Sequence, residues 1–174
     1  MGDKVEIASG GSYVIRFQDT GFWLAKYAAR KGYHKPTGTI ALNYCNNLRI
    51  FRYAETLLAY AELVGVEGVA EQKGISAQQC LDMVRDRAFG DTNHRVAVNK
   101  QNIINENHYE FVGEGHRYYD VVRWGITEVL NVDNVPGINS ARTWKSHNKY
   151  VAIPQGDIDA TKGTEFELKQ NEGY

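Results

Sequence analysis

The spacing of hydrophobic residues changes near residue 48. Before that point, alternating apolar residues in Ser12–Phe17 and again in Ile40–Tyr44 predict one or two short strands. Glycine pairs and turn residues lie around both stretches. We therefore expect residues 1–47 to form a loop-rich segment with short strands.

From residue 48 the apolar residues follow a helical spacing. They recur every three or four positions between Leu48 and Val64, which predicts an amphipathic helix that Gly65 and Gly68 end. At ~1.5 Å per residue this helix would be about 25 Å long. The small Ala54 and Ala61 lie on its apolar face and would allow a neighbouring helix to approach closely.

A second helix has clear signals at both ends. Ser76 and Gln79 form the pattern of a capping box, in which the serine oxygen and the glutamine side chain satisfy free backbone N–H groups. Gly90 fits a C-terminal cap.

Two further helices and a loop-rich end complete the predicted order. A third helix is expected from about Asn99 to Val112, and a short fourth helix follows the glycine break and ends near Trp124–Gly125. An extended piece at Tyr150–Ile153 is halted by Pro154. The pattern predicts a mainly α fold of two helix pairs with loop-rich ends. The pairs resemble tetratricopeptide units, but the W-x-x-L-G pattern and strict period of that repeat are missing.

Composition excludes several classes of protein. The chain has 174 residues, 43% of them hydrophobic and 24% charged, with a formal net charge of -1. These values are typical of globular material and give no basic surplus for nucleic acid. Charged residues interrupt every apolar window, so no segment is predicted to span a bilayer, and residues 1–11 lack the apolar core of a signal peptide.

Metal and cofactor sites are not expected. Cys45 and Cys80 have no metal-ligand spacing, and two reduced, buried thiols are favoured over one disulfide. The five histidines also lack ligand spacing.

One carboxylate pair would suit an enzyme. Glu106 and Glu110 are four residues apart on the third helix, which puts their Cβ atoms ~6 Å apart, a separation compatible with glycosidase chemistry. Such pairs are common on helix surfaces, so a structural role is favoured and a hydrolase is kept as an alternative.

Charged and aromatic residues alternate in two other places. Arg117, Asp120 and Arg123 would lie along one edge of the fourth helix. Arg52 could pair with Glu55 at the start of the first helix. We expect a structural network that holds helices together, with an anion site as the alternative. Its members are Arg52, Tyr53, Glu55, Glu110, Arg117, Asp120, Arg123 and Trp124.

Five blocks of the sequence resemble the C-terminal part of SusD/RagB-family proteins, in the order and with the spacing of that family. They are RYAETLLAYAE (Arg52–Glu62), VRDRA (Val84–Ala88), EFVGEGHRYYDVVRWG (Glu110–Gly125), IPQGDID (Ile153–Asp159) and QNEGY (Gln170–Tyr174). One departure is Glu106-Asn107, where the family usually has Glu-Arg, which puts one buried ion pair in doubt. Residues 48–174 are therefore interpreted as a SusD-like helical region, and residues 1–47 match only loosely.

The resemblance implies a function and a location. SusD-like proteins are lipid-anchored, non-catalytic proteins of the outer-membrane surface that capture glycans or other nutrients for a SusC-type TonB-dependent transporter. The chain resembles only the final third of such a protein, so the leader and the lipid-carrying cysteine are expected in an absent N-terminal part. A fragment of this kind is also expected to expose a large apolar patch.

Aromatic residues on loops are the candidates for glycan binding, since family members hold sugars on aromatic platforms. The weak candidates here are Trp23, Tyr27, Tyr33 and Trp144, although packing against the helices is the favoured role of each. Two alternatives to glycan capture stay open: a generic helical-repeat interaction module, and a glycoside hydrolase that uses Glu106 and Glu110.

Overall fold

The fold is mainly α-helical, as the sequence predicts. The computed structural model describes residues 4–6, 12–14, 24–27, 45, 47–133 and 141–174. Two short strands, β1 (Lys4–Glu6) and β2 (Ser12–Val14), pair as a two-stranded sheet. The helices are α1 (Tyr53–Gly65), α2 (Ala77–Phe89), α3 (Lys100–Glu110), α4 (Arg117–Trp124) and α5 (Gln155–Thr161). Short 3-10 turns lie at Ala25–Tyr27, Thr127–Leu130 and Ser146–Lys149.

The chain divides into two compact units. The helical unit consists mainly of Trp23–Tyr118, and the C-terminal unit mainly of Tyr119–Tyr174. Strand β2 covers the start of the first predicted strand, whereas the second predicted strand, Ile40–Tyr44, lies outside the described residues. The predicted boundary at residue 47 stays a prediction.

The core of the helical unit lies where α1 packs against α2 and α3. Leu58, Leu81 and Ile103 are fully or almost fully buried, one from each helix. Ala54 and Ala61 are also buried, which agrees with their predicted place at a close helix contact. The other buried members of this core are Leu57, Ala77, Cys80, Val84 and Phe111.

Helix α1 begins later than the sequence predicts. Arg52 has an extended backbone (φ -142°), and the helix starts at Tyr53. Leu48 and Phe51 precede it and are 80% and 64% exposed. The predicted start at Leu48 is wrong because apolar spacing does not reveal the extended residue 52. The 13 residues of the helix span about 20 Å.

Helix α2 confirms its predicted start signal, and α3 begins next to the predicted Asn99. The N–H of Gln79 donates to Ser76 Oγ at 3.2 Å, and the N–H of Ser76 donates to Gln79 Oε1 at 2.8 Å. Gly90 caps α2 in the left-handed region (φ 76°). Asn99 Oδ1 accepts the N–H of Asn102 at 2.9 Å, which caps α3.

The glycine break after α3 is required by packing as well as by backbone conformation. Gly113 has φ 76°, and a Cβ atom at this position would lie 2.1 Å from Leu24 Cδ2. A larger residue would therefore force the turn and the segment at residue 24 apart.

The C-terminal unit is held by its last residues. The side-chain amide of Gln170 accepts the N–H of Ile153 and donates to its carbonyl, both at 2.9 Å. Asn171 Nδ2 donates to the carbonyl of Val151 at 2.7 Å, and Tyr174 Oη donates to the carbonyl of Tyr150 at 2.8 Å. These residues hold the predicted extended piece Tyr150–Ile153 in place.

The sequence did not predict α5, which begins directly after Pro154. Proline has no N–H to donate, so it ends the extended piece and is equally suited to the start of a helix. Of the helices within the described ranges, none has the length and apolar character needed to cross a membrane.

Removing the capping hydroxyl of α2 is expected to destabilise the helical unit. Ser76→Ala leaves the N–H of Gln79 without its acceptor, and we expect a loss of about 1 kcal/mol in the free energy of unfolding. Denaturant unfolding followed by circular dichroism measures the change. Ser76→Thr keeps the hydroxyl and is the matched control, so an equal loss in both variants would contradict the capping role.

Candidate functional site

The strongest polar feature of the helical unit is a buried ion-pair cluster centred on Arg52. Its Nε donates to Glu114 Oε2 at 2.7 Å, and its Nη2 donates to Glu114 Oε1 at 2.8 Å. Nη2 also donates to the carbonyl of Glu110 at 2.8 Å, and Nη1 pairs with the Glu110 carboxylate. The guanidinium lies over the ring of Phe111, 4.9 Å from its centroid. One side chain before α1 thus holds both the end of α3 and the turn that follows.

Two further cations complete this cluster. Lys26 Nζ donates to Glu114 Oε1 at 2.5 Å and to the Glu110 carbonyl at 2.7 Å. Arg87 Nη2, from α2, lies 2.6 Å from both carboxylate oxygens of Glu110. Three cations therefore surround two carboxylates that are almost fully shielded from solvent.

A second ion pair joins α2 to α3. Arg85 Nη1 pairs with the carboxylate of Glu106, whose residue is 4% exposed. Arg85 Nε also donates to the carbonyl of His94 at 2.5 Å. Asn107, where the resemblance leads one to expect arginine, donates through Nδ2 to the carbonyl of Ile103 at 2.9 Å.

The cluster changes the acidity of its own members. Burial is the largest influence on Glu114 and raises its pKa, but hydrogen bonds from Arg52 and Lys26 together with their charges lower the pKa to about 2. Burial also acts to lower the pKa of Arg52, and the two glutamates outweigh it and raise that pKa. Both partners are thus stabilised in their charged forms.

Two adjoining depressions open beside the cluster and share three arginines. One has a volume of about 340 Å³ and the other about 410 Å³. We call the two together the arginine groove. The first is lined by Lys26, Arg49, Arg52, Arg87, Tyr109, Glu110 and Glu114. The second is lined by Arg49, Arg52, Tyr53, Ala54, Leu57, Met83, Val84 and Arg87.

The predicted network forms in a different arrangement. Arg52 pairs with Glu110 and Glu114, so the predicted pairing with Glu55 is wrong. Glu55 Oε2 is buried and accepts no hydrogen bond within the described part of the chain, and Tyr53 is 65% exposed. The i,i+3 spacing allowed the local pair, but two buried carboxylates offered Arg52 more hydrogen bonds.

On α4 the predicted residues do not all act together. Arg123 Nη2 donates to Asp120 Oδ1 at 3.3 Å and its guanidinium lies 4.7 Å from the centroid of the Trp124 ring. Arg117 Nη1 is buried and has no hydrogen-bond partner among the residues described. Arg123 and Asp120 therefore form a local pair that does not include Arg117.

The sequence reasoning missed three partners of the glutamates. Arg85, Arg87 and Lys26 were not assigned to the network, although the first two lie in the VRDRA block. Arg85 and Arg87 are two residues apart on α2, and they pair with Glu106 and Glu110, which are four residues apart on α3. This matching charge pattern was present in the sequence.

The structure describes two of the four aromatic candidates, Tyr27 and Trp144. Trp23 and Tyr33 lie outside the described residues. Tyr27 is half-buried in the helical unit. Trp144 is half-buried in the C-terminal unit, where its backbone N–H donates to Asn131 Oδ1 at 2.8 Å, and its indole Nε1 has no hydrogen-bond partner in the described ranges.

The cysteines are both free. Cys80 is buried and burial raises the pKa of its thiol, whereas Cys45 is exposed, so the prediction of two buried thiols is correct for one of them. In the portion of the chain that is described, no three residues of the types His, Cys, Asp and Glu come together as a metal site.

The described part of the chain is therefore a mainly α protein whose helices are joined by arginine–glutamate ion pairs. Residues 10–174 match the SusD family, and the chain belongs to that family. This confirms the resemblance drawn from the five sequence blocks.

Solved structures of high similarity are surface glycan-binding proteins. Surface glycan-binding protein A from Bacteroides fluxus is 54% identical with a TM-score of 0.81, over 96% of this chain and 35% of that one. The corresponding protein from Bacteroides thetaiotaomicron, solved in complex with laminarihexaose, is 42% identical with a TM-score of 0.76, over 92% of this chain and 32% of that one. A laminarin-binding SusD-like protein is 31% identical with a TM-score of 0.68, over 95% of this chain and 32% of that one.

A SusD-like protein of Formosa agariphila is 33% identical over 91 aligned positions, and the match covers 48% of this chain and 16% of the relative. The chain thus spans about a third of the length of the solved relatives.

Removing the central guanidinium is expected to destabilise the helical unit strongly. Arg52→Ala leaves Glu114 and Glu110 with fewer partners in a buried site, and we expect a loss of about 3 kcal/mol in the free energy of unfolding. Chemical denaturation measures it. Arg49→Ala removes an exposed arginine a few residues away and should change stability by less than about 0.5 kcal/mol. Similar losses in the two variants would contradict the central role of Arg52.

The stability of the unit should depend on pH through Glu114. Its pKa of about 2 in the folded chain lies below the ordinary 4.5, so the charged form stabilises the fold above the ordinary pKa, and this stabilisation is lost as the pH falls towards 2. The contribution at neutral pH is about 3 kcal/mol. Unfolding measured from pH 7 down to about pH 2 should show a steeper decline for the wild type than for Glu114→Gln. Glu71→Gln removes an exposed carboxylate and should follow the wild type, and parallel curves for all three would show that Glu114 is not responsible.

Proposed function

We propose that this chain is part of a non-catalytic cell-surface protein that captures a glycan of the laminarin type. The observation that carries the proposal is the group of relatives: one that is 42% identical is solved with laminarihexaose, and another is named as laminarin-binding. The 54% identical relative is also named as a surface glycan-binding protein. Because the chain spans about a third of these proteins, the proposal concerns the protein of which it forms part.

The aromatic candidates suit this ligand chemically. The faces of a glucose ring carry apolar C–H groups, which stack on aromatic rings, while the hydroxyls at the ring edge bind polar groups. Tyr27 and Trp144 are both half-buried, so each leaves part of its side chain accessible. Trp23 and Tyr33 are proposed on sequence alone.

The state of Glu106 and Glu110 supports capture without hydrolysis. A glycosidase needs one carboxyl group to protonate the leaving oxygen and a second to act as base or nucleophile. Glu106 is buried and paired with Arg85, and Glu110 is paired with Arg52 and Arg87. Both carboxylates are therefore engaged in holding helices together, which disfavours the hydrolase alternative.

We place the whole protein at the outer-membrane surface, attached through a lipid anchor. Its proposed partner is a SusC-type TonB-dependent transporter, to which it would deliver the captured oligosaccharide. Membership of the SusD family and the surface location named for the relatives support this proposal.

Binding and turnover can be measured on the same sample. The protein that contains this chain is titrated with laminarihexaose by calorimetry, with maltohexaose and cellohexaose as glucans of other linkages. We expect saturable binding of laminarihexaose, weaker binding of the other two, and no release of shorter sugars after prolonged incubation. Equal affinity for all three sugars would contradict the laminarin specificity. Release of shorter sugars would contradict the non-catalytic function and support the glycoside hydrolase alternative.

Single aromatic substitutions test the proposed platforms. Tyr27→Ala and Trp144→Ala should each weaken laminarihexaose binding by about tenfold if the ring stacks on the sugar. Phe166→Ala removes an aromatic side chain that is 75% exposed and serves as the control. Unchanged affinity in a folded Tyr27→Ala or Trp144→Ala variant would remove that residue from the binding site.

A further inference from the structure

The arginine groove carries more positive charge than its own carboxylates use. Its walls hold Lys26, Arg49, Arg52 and Arg87 against Glu110 and Glu114. Both glutamates already accept hydrogen bonds from Arg52. The groove therefore has a surplus of cations over carboxylates, which favours an anionic ligand.

Two of these arginines keep donors available. The side chain of Arg87 is 56% exposed, and it contacts Glu110 through Nη2. Arg49 is exposed, and its guanidinium makes no ion pair with any residue that the structure describes. A guanidinium with free N–H groups binds a carboxylate through two parallel hydrogen bonds.

The second depression of the groove adds apolar side chains beside the shared arginines. Ala54, Leu57 and Val84 contribute to it from the packed faces of α1 and α2, and Met83 (44% exposed) lies beside them. The segment directly before α1, which supplies Arg49 and Arg52 to the groove, also contains Leu48, Ile50 and Phe51, all more than half exposed. A run of exposed large apolar side chains next to a groove is typical of a surface that binds another polypeptide.

We propose that the arginine groove binds a polypeptide segment from outside this chain in which carboxylate side chains alternate with large apolar ones. Apolar anchors would enter the depression lined by Leu57, Met83 and Val84, and neighbouring carboxylates would pair with Arg49 and Arg87. A neutral glucan lacks the negative charge that the surplus of cations favours, and the carboxylates that could accept its hydroxyl hydrogen bonds are engaged by arginine. The proposal is independent of the glycan function.

A pair of matched peptides tests the charge requirement. The first alternates leucine and glutamate, and the second replaces each glutamate by glutamine. Binding to the folded chain is followed by amide chemical-shift changes in NMR spectra. We expect the glutamate peptide to shift residues of the groove, with an affinity that falls as salt is raised, and the glutamine peptide to bind at least about tenfold more weakly.

Variants of the chain test the location. The double substitution of Arg49→Ala and Arg87→Ala should weaken binding of the glutamate peptide by about tenfold or more, and Met83→Glu should weaken it by placing a like charge beside the apolar anchor. Lys100→Ala removes an exposed cation that does not line the groove and is the control. Thermal unfolding of each variant establishes that it is folded before binding is compared.

Several results would overturn the proposal. Equal binding of the two peptides, no binding of the glutamate peptide, or unchanged binding in both the arginine double variant and Met83→Glu would each do so. Sedimentation that shows two copies of the chain joined through the groove would make a second copy its occupant. Chemical-shift changes in the groove on addition of laminarihexaose would assign it to the glycan.

Discussion

The contact between Arg52 and the two glutamates at the end of α3 is the constraint on which the helical unit depends. Arg52 is not in a helix, and its extended backbone lets the guanidinium reach across to Glu110 and Glu114. This contact fixes where α1 begins, where α3 ends and how the glycine turn after α3 is held. Because the charges are shielded from water, each partner needs the other, and the three positions depend on one another.

Helix α3 carries two carboxylates, Glu106 and Glu110, at a spacing that would also suit an enzyme. Carboxylates that lie four apart on a buried helix face must be compensated, and here α2 supplies an arginine to each. In an enzyme the compensation would be incomplete, with an open position for substrate. Because both carboxylates are paired with arginine, we interpret Glu106 and Glu110 as structural residues that join helices.

Local signals predicted the fold better than they predicted the site. The capping box of α2 and the left-handed glycine at residue 90 are short-range effects that the sequence shows directly. The start of α1 was predicted wrongly because it is set by the contact of Arg52 with residues about 60 positions later. Long-range pairs such as Arg85–Glu106 follow from helix packing, which spacing within one helix does not reveal. The roles of the aromatic candidates stay predictions, because spacing along the chain does not show which loop residues come together.

The amide side chains near the end of the chain have a consequence for its handling. Gln170 and Asn171 bond to backbone groups of Val151 and Ile153, and no strand among the described residues pairs with this segment. The final residues are thus an integral structural element rather than a tail. Loss of these residues would leave the carbonyls and amides to water and loosen the region that leads into α5, so an affinity tag is better attached where it leaves Gln170 and Asn171 undisturbed.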